Sequence, residues 1–168
     1  GLVTVERVVA AANPVRRLAA LMDGGANVDD IVARLRLSNR DGQRLRDLKT
    51  GAVDINPDLP QDAWKSRLYK VGADRWREVV LLNWAGELAD GHTDDHLRVD
   101  AWRALMALPQ TWPVPALPVR GADVIEAGVP EGPEVSRLLK DIESWWIDGG
   151  LVADRDACLS ELARRAVV

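Results

Sequence analysis

The stretch that decides the fold is RGADVIEAGVPEGPEVSRLLK, Arg120–Lys140, because its glycines and prolines mark the ends of two closely spaced helices. Gly121 opens a short helix, and Gly128 lies where a helix ends in a left-handed residue. Pro130 prevents that helix from continuing. Pro133 then begins a second helix, at the position where proline loses no helical hydrogen bond. The stretch therefore predicts a helix, a tight hairpin and a second helix.

The second helix carries one apolar stripe and starts with amides that have no helical partner. The amides of Glu134 and Val135 point out of the helix start, where a phosphate can bind. A compact helical corner without a ligand is the alternative, because helix starts far outnumber anion sites. The apolar residues recur at spacings of three and four: Val135, Leu138, Leu139, Ile142 and Trp146.

Helical periodicity recurs along the whole chain, and no segment shows the strict alternation of a half-buried strand. The predicted fold class is therefore all α. Ser38 with Asp41 forms a capping-box pattern at one helix start. Besides the pair above, we predict helices at 3–12, 14–22, 28–35, 39–49, 60–70, 73–88, 94–108 and 154–166.

The segment PQTWPVPALP, Pro109–Pro118, is the strong break in composition. Its four prolines in ten residues exclude a helix and favour an extended, semi-rigid connector. We therefore predict a helical body at 1–108, a proline-rich linker at 109–118 and a small helical tail at 119–168.

The composition is that of a globular protein, with 47% hydrophobic and 29% charged residues. No apolar run approaches the length of a membrane span, so no membrane association is predicted. The single cysteine, Cys158, cannot form an internal disulfide, which favours a cytoplasmic location. The chain begins with Gly1 instead of methionine, which indicates a segment cut from a longer protein.

The formal net charge of −4 conceals an uneven distribution. Residues 1–84 contain 14 Lys and Arg against 11 Asp and Glu, whereas residues 85–168 contain 8 against 15. A polyanion is therefore expected to contact the first half of the chain more extensively than the second.

The stretch RLRLSNRDGQRLRDLK, Arg34–Lys49, is a basic patch with six cations against two acids. Arg40 and Arg44 lie one turn apart on one face of the predicted helix, so their guanidinium groups could bind neighbouring phosphates. An ordinary solvated arginine face is the alternative. The residues of this patch predicted to bind RNA are Arg36, Arg40, Arg44 and Arg46.

The segment HTDDH, His92–His96, places two histidines four residues apart, a spacing that can share a metal ion. Because its acids suit the first turn of the following helix, we favour a helix cap and predict no metal site. We also find no catalytic residues, since no phosphate-binding glycine loop with lysine and no Cys–His pairing is present.

The chain has seven tryptophans and no phenylalanine, and most of the tryptophans are predicted in the core. Trp145 and Trp146 cannot both face one interior from a single helix. One of them is therefore expected at the contact between body and tail or against solvent, where base stacking is possible.

The tail resembles that of tRNA nucleotidyltransferases, the CCA-adding enzymes and their poly(A) polymerase relatives, and is most similar to alphaproteobacterial members. The matching sequence is LPVRGADVIEAGVPEGPEVSRLLKDIESWWIDGGLVADRDACLSELARR, with NPVRRLAALM and ARLRLSN in the body matching more loosely. Such enzymes begin with a catalytic head that uses Mg and ATP or CTP, and this sequence contains no such head. The resemblance implies a tRNA-holding C-terminal part, with no cofactor in this segment.

The tail residues predicted to contact RNA come partly from the resemblance and partly from their chemistry. The glycines match the family's hairpin pattern and shape its turn, and we add the flanking cations on chemical grounds. Glu131 and Ser136 depart from the pattern, and a carboxylate at 131 repels phosphate. The alternatives are a helical interaction module with a basic face and, more distantly, a metal-dependent hydrolase. The tail residues predicted to bind RNA are Arg120, Gly121, Gly132, Arg137 and Lys140.

Overall fold

In a computed structural model of the protein, the described residues are 1–9, 11–22, 25–49, 53–91 and 95–166. Within these ranges the chain forms helices joined by turns and contains no strand, which confirms the all-α prediction. The helices are α1 (Leu2–Val9), α2 (Pro14–Leu21), α3 (Val28–Arg34), α4 (Asn39–Lys49), α5 (Gln61–Val71), α6 (Ala73–Ala89), α7 (His96–Thr111), α8 (Gly121–Glu126), α9 (Pro133–Asp148) and α10 (Arg155–Ala166).

Local sequence signals account for the ends of two of these helices. The Asp41 amide donates to Ser38 Oγ at 3.1 Å, so Ser38 caps α4 as the capping-box pattern predicted. The Asp41 carboxylate accepts from the Ser38 hydroxyl at 2.8 Å instead of from the Ser38 amide, which differs from a full capping box. After α8, Gly128 has a φ of 95°, and the Val129 amide donates to the Val124 carbonyl at 3.3 Å. Val129 is thereby folded back into a buried position, and the predicted helix stop is confirmed.

The prediction that no helix includes Pro109 is wrong, since α7 continues through this proline to Thr111. Proline has no N–H, so the carbonyl of Leu105, four residues earlier, loses its helical partner. The indole Nε1 of Trp76 on α6 donates to that carbonyl instead, at 2.6 Å. Because Trp76 and Leu105 are both buried, this tertiary hydrogen bond prevents an unpaired buried carbonyl and lets the helix continue.

Replacing Trp76 by phenylalanine is expected to lower the free energy of unfolding by about 2 kcal/mol, because the buried Leu105 carbonyl then has no donor. Adding Pro109→Ala to Trp76→Phe is expected to recover about 1 kcal/mol, since alanine at 109 restores an N–H that can donate to Leu105. Urea unfolding followed by circular dichroism measures both changes. The explanation is wrong if Pro109→Ala has the same effect with and without Trp76→Phe.

The chain divides into two compact units, of which the first comprises Gly1–Pro60 and Val71–Trp112. Its central element is α6, which packs against α1, α2 and α7 and is buried at Trp76, Val80, Leu81 and Trp84. Trp84 also stacks on Trp102 of α7, with ring centroids 6.0 Å apart and ring planes 6° apart. Helix α2 packs in turn on α4, and α4 on α3, so this core positions the arginine-rich helix.

The second unit comprises Gln61–Lys70 and Pro113–Val168, with α9 packed against α8 and α10. Tyr69 on α5 meets Trp146 edge-on at a centroid distance of 5.5 Å, and its hydroxyl donates to Glu143 Oε1 at 2.6 Å. Burial, together with the Glu143 carboxylate, raises the pKa of Tyr69, so the hydroxyl stays protonated.

This division differs from the predicted one, which placed residues 61–70 in the body. The contacts of Tyr69 with α9 are the physical reason, and they join residues 74 positions apart in the sequence. A functional boundary between body, linker and tail at the predicted positions stays a prediction.

Candidate nucleic-acid interface

The predicted basic patch lies on α3, on α4 and on the turn between them. After α3, the Leu37 amide donates to the Val32 carbonyl at 3.1 Å and the Arg36 amide to the Ala33 carbonyl at 3.2 Å, the two bonds of a Schellman motif. This motif needs a left-handed residue at the position of Arg36, whose φ is 49°. The side chain of Arg36 is exposed.

Arg36 and Arg40 keep their guanidinium groups available for a ligand. Both side chains are exposed, as is that of Arg34 at the end of α3. Within the part of the chain that the structure describes, none of the three has a hydrogen bond from its guanidinium or an ion pair. An exposed arginine in this state retains its charge and its five donors for a phosphate.

Arg44 is held differently, because it belongs to a partly buried ion-pair network. Its Nη2 donates to Glu78 Oε1 at 2.8 Å. Glu78 also accepts two hydrogen bonds from Arg16, at 2.6 and 2.9 Å, and Arg16 donates to Glu6 at 2.8 Å. Burial alone would raise the pKa of Glu78, but the hydrogen bonds and charges of Arg16 and Arg44 lower its pKa. The carboxylate therefore remains ionised at neutral pH.

Arg46 is paired as well, since its Nε donates to Asp29 Oδ1 on α3 at 2.7 Å. The pair is exposed, so it contributes little stability, but it offsets part of the charge that Arg46 offers a phosphate. The four predicted arginines thus fall into two classes. Arg36 and Arg40 are unpaired within the described ranges, whereas Arg44 and Arg46 are tied to carboxylates. Their role in RNA binding stays a prediction.

Two residues near the patch had no signal in the sequence. Arg75 on α6 donates through Nη2 to the backbone carbonyl of Asp47, so it adds a cation beside the end of α4. Glu78 connects the patch to the buried Arg16, across 34 and 62 sequence positions. Both depend on packing between distant elements, which helical periodicity does not reveal.

In the second unit, Arg120 and Gly121 lie at the start of α8. The Arg120 amide donates to Asp123 Oδ2 at 2.6 Å, and the Arg120 side chain is exposed. A Cβ atom at Gly121 would lie 3.5 Å from Val135 Cγ1, so this glycine faces α9. Asp123 is buried and accepts hydrogen bonds from Arg155 on both oxygens. These bonds, with that from the Arg120 amide, lower the pKa of Asp123.

The amide expected to be open at the start of α9 is occupied. The Val135 amide donates to the Gly132 carbonyl at 3.2 Å, so this part of the predicted phosphate position is wrong. The backbone of Gly132, with a φ of 149°, places that carbonyl within reach of the amide. Arg137 donates to Glu134 on one side and to Asp141 on the other, so its charge is offset locally.

The structure brings the predicted tail residues to two positions. Arg120 and Gly121 lie together at the start of α8, while Gly132, Arg137 and Lys140 lie at the start and on the first two turns of α9. Lys140 is exposed. Contact of these five residues with RNA stays a prediction.

Part of the HTDDH segment, residues 92–94, lies outside the described residues. Asp95 caps α7, since its Oδ1 accepts the Arg98 amide at 2.7 Å, and one of the acids thus serves a helix start as expected. In the ranges that are described, no group of three or more His, Cys, Asp or Glu side chains is placed to hold a metal ion.

Of the two neighbouring tryptophans on α9, Trp146 is buried, whereas Trp145 is partly exposed.

Comparison with known proteins finds a partial similarity to tRNA nucleotidyltransferases. Over 68 residues the chain is 29% identical to CCA tRNA nucleotidyltransferase 1, mitochondrial, of Mus musculus. It is 28% identical over the same length to the protein of that name from Homo sapiens. The match covers 40% of this chain and only 16% of each relative. No protein-family model and no solved structure matches the chain.

None of the described helices combines the length and apolar character needed to span a membrane.

Proposed function

We propose that this chain is the tRNA-binding C-terminal part of a tRNA nucleotidyltransferase of the CCA-adding or poly(A) polymerase type. In this role it holds the acceptor and T arms of a tRNA while a separate catalytic head, using Mg and ATP or CTP, extends the 3′ end. The similarity to the two mammalian CCA tRNA nucleotidyltransferases carries the proposal. We also propose an enzyme of the alphaproteobacterial type, from the resemblance of the tail motif, and a cytoplasmic location, from the single cysteine.

The two units are proposed to contribute in different ways. The first unit supplies attraction to the RNA backbone through the exposed Arg36 and Arg40, which need no base contact to bind phosphate. Each unit has a formal net charge of −2, but the second unit has no stretch as basic as Arg34–Lys49, so it adds little general attraction. Its hydrogen-bonded helix end at Gly128 and its exposed Arg120 and Lys140 instead suit recognition of a folded RNA by shape.

The chain is expected to bind a tRNA lacking its terminal CCA with an affinity that falls steeply with salt. The two phosphate contacts of Arg36 and Arg40 alone give a log–log slope of about −1.8. Fluorescence anisotropy of labelled tRNA, titrated at salt concentrations between about 0.05 and 0.5 M, measures this slope. Each phosphate contact is expected to contribute about −0.9 to it. The chain alone is expected to incorporate no labelled CTP or ATP, because its sequence offers no nucleotide-binding strand with paired aspartates.

A plain RNA duplex of equal charge is the control, and tRNA is expected to bind more tightly because its fold is read by shape. Equal affinity for both RNAs would show that the chain is attracted only to the RNA backbone and does not recognise the shape of tRNA. Absence of RNA binding at low salt would contradict the proposal and favour a helical protein-interaction module.

A further inference from the structure

Helices α3, α8 and α9 end in the same hydrogen-bond motif, and the left-handed residue of one of them is an arginine. In each motif the left-handed residue donates to the carbonyl three positions earlier, and the next residue donates to the carbonyl five positions earlier. The left-handed residue is Gly128 after α8, with φ 95°, and Gly150 after α9, with φ 80°. After α3 it is Arg36, with φ 49°.

A side chain at this position costs stability. In the left-handed conformation Cβ approaches the following carbonyl oxygen, a clash that glycine lacks. The side chain of Arg36 gains nothing visible in return, because it is exposed and has neither a hydrogen bond nor an ion pair in the described ranges. A cation near a helix C-terminus favours the helix dipole, but Arg34 already supplies one in the last turn of α3.

Arg36 lies between two other exposed arginines. Arg34 is the last residue of α3 and Arg40 is in the first turn of α4, so three exposed arginines lie in or beside one short turn. The next two arginines along α4 are bound to Glu78 and Asp29. Lys49, at the end of α4, donates to the Met22 carbonyl at 2.9 Å. Of the four charges of the patch that no carboxylate in the described ranges offsets, three therefore lie at the α3–α4 turn.

We propose that Arg34, Arg36 and Arg40 form the main phosphate-binding cluster of the patch. Arg36 occupies the place of a glycine, at a cost in stability, because the third guanidinium is needed there to bind the RNA backbone. This inference rests on the proposed function and specifies it. The ligand is a run of neighbouring RNA phosphates, which the cluster binds without reading bases.

Arg36→Gly separates the backbone cost from the binding. It is expected to raise Tm by roughly 2–4 °C, because glycine adopts this conformation without strain. It is also expected to lower the affinity for tRNA about 8-fold at 0.1 M salt. One lost phosphate contact reduces the log–log salt slope by about 0.9, and this change acts over the tenfold range of salt between 0.1 and about 1 M. Arg36→Lys retains the cation and should bind within about 3-fold of the unaltered chain, without the gain in Tm.

Arg36→Ala should lose as much affinity as Arg36→Gly without the gain in Tm, since alanine keeps the strain. Arg7→Ala, which removes an exposed arginine on α1, is the matched control and should change the affinity less than about 2-fold. A lower Tm for Arg36→Gly would show that the arginine stabilises the end of α3 and would overturn the inference.

A higher Tm with unchanged tRNA affinity would also overturn it, because the turn would then not bind phosphate. In both of these cases the unaltered chain still binds tRNA, and the proposed function stands. Failure of the unaltered chain itself to bind tRNA or duplex RNA contradicts the proposed function and the cluster together.

Discussion

Replacing Arg16 by methionine is expected to lower the free energy of unfolding by about 3–5 kcal/mol. Arg16 is 5% exposed and donates to Glu6 and to both oxygens of Glu78. Methionine has a similar length but no charge, so the substitution leaves two carboxylates with little access to water and without their shared cation. The cost comes from these carboxylates more than from the loss of the arginine itself.

The remaining partners limit the loss and make it depend on pH. Glu6 keeps Arg17, at 2.7 Å, and Glu78 keeps Arg44. Burial would raise the pKa of Glu6, but hydrogen bonds from Arg17, the Asn13 amide and Arg16 lower this pKa below its usual range. Because both carboxyls have lowered pKa values in the folded state, their stabilising effect is present above the unfolded value and is lost as the pH falls through the folded value. The deficit caused by Arg16→Met should therefore shrink below about pH 4.

Urea unfolding at neutral pH and near pH 3.5, followed by circular dichroism, tests this expectation over the range in which carboxyls titrate, about pH 3–5. Arg44→Met is the matched control, because it removes the other partner of Glu78 from a side chain that is 40% exposed. It should cost less than about 1 kcal/mol. Adding Glu6→Gln to Arg16→Met should recover part of the loss, since an amide needs no cation. Equal losses for Arg16→Met and Arg44→Met would contradict the role assigned to the buried pair.

Most of the fold could be predicted because helix ends depend on residues close in sequence. Ser38 and Asp41 act within one turn, and Gly128 needs only the four residues before it. The passage of α7 through Pro109 could not be predicted in this way. It requires a donor from Trp76, 29 positions before the carbonyl that accepts it.

The sequence predicted which arginines belong to the basic patch, but not which of them are paired with carboxylates. The sequence places the arginines on and around α4, yet Arg44 finds its carboxylate 34 positions away and Arg46 finds its own 17 positions away. The left-handed conformation of Arg36 also had no signal, because sequence rules expect glycine or asparagine after a helix. Which arginines keep their charge for a ligand is therefore decided by tertiary contacts.

Arg36→Glu combined with Arg40→Glu is expected to weaken the binding of tRNA and of plain duplex RNA alike, by at least about 60-fold at 0.1 M salt. Two lost phosphate contacts lower the log–log salt slope by about 1.8. The factor of about 60 is this change in slope applied over the tenfold range of salt between 0.1 and about 1 M. Both RNAs lose affinity because both present the same backbone. Arg44 is unsuitable for this test, because a glutamate there would face Glu78 and disturb the buried network.

Arg137→Glu combined with Lys140→Glu is the matched variant in the second unit. Arg137 already lies between Glu134 and Asp141, so reversing its charge removes little net attraction. Duplex binding should stay nearly unchanged, while tRNA binding falls by up to about 10-fold if the second unit reads the shape of the folded RNA. Titration of both double variants with both RNAs at two salt concentrations, with Tm as a check on folding, decides between the roles.

Equal proportional losses for both RNAs with the Arg137 and Lys140 variant would remove shape recognition from the second unit. Full affinity of the Arg36 and Arg40 variant for both RNAs would show that these arginines of the first unit do not bind phosphate. If neither variant loses affinity, the charges that attract RNA lie elsewhere in the chain, and the RNA-binding role of both sets of residues is wrong. The Arg36 and Arg40 variant is therefore expected to weaken the binding of both RNAs, because it changes the general attraction to the backbone. The Arg137 and Lys140 variant is expected to weaken only the binding of tRNA, because it changes contacts that a folded tRNA makes.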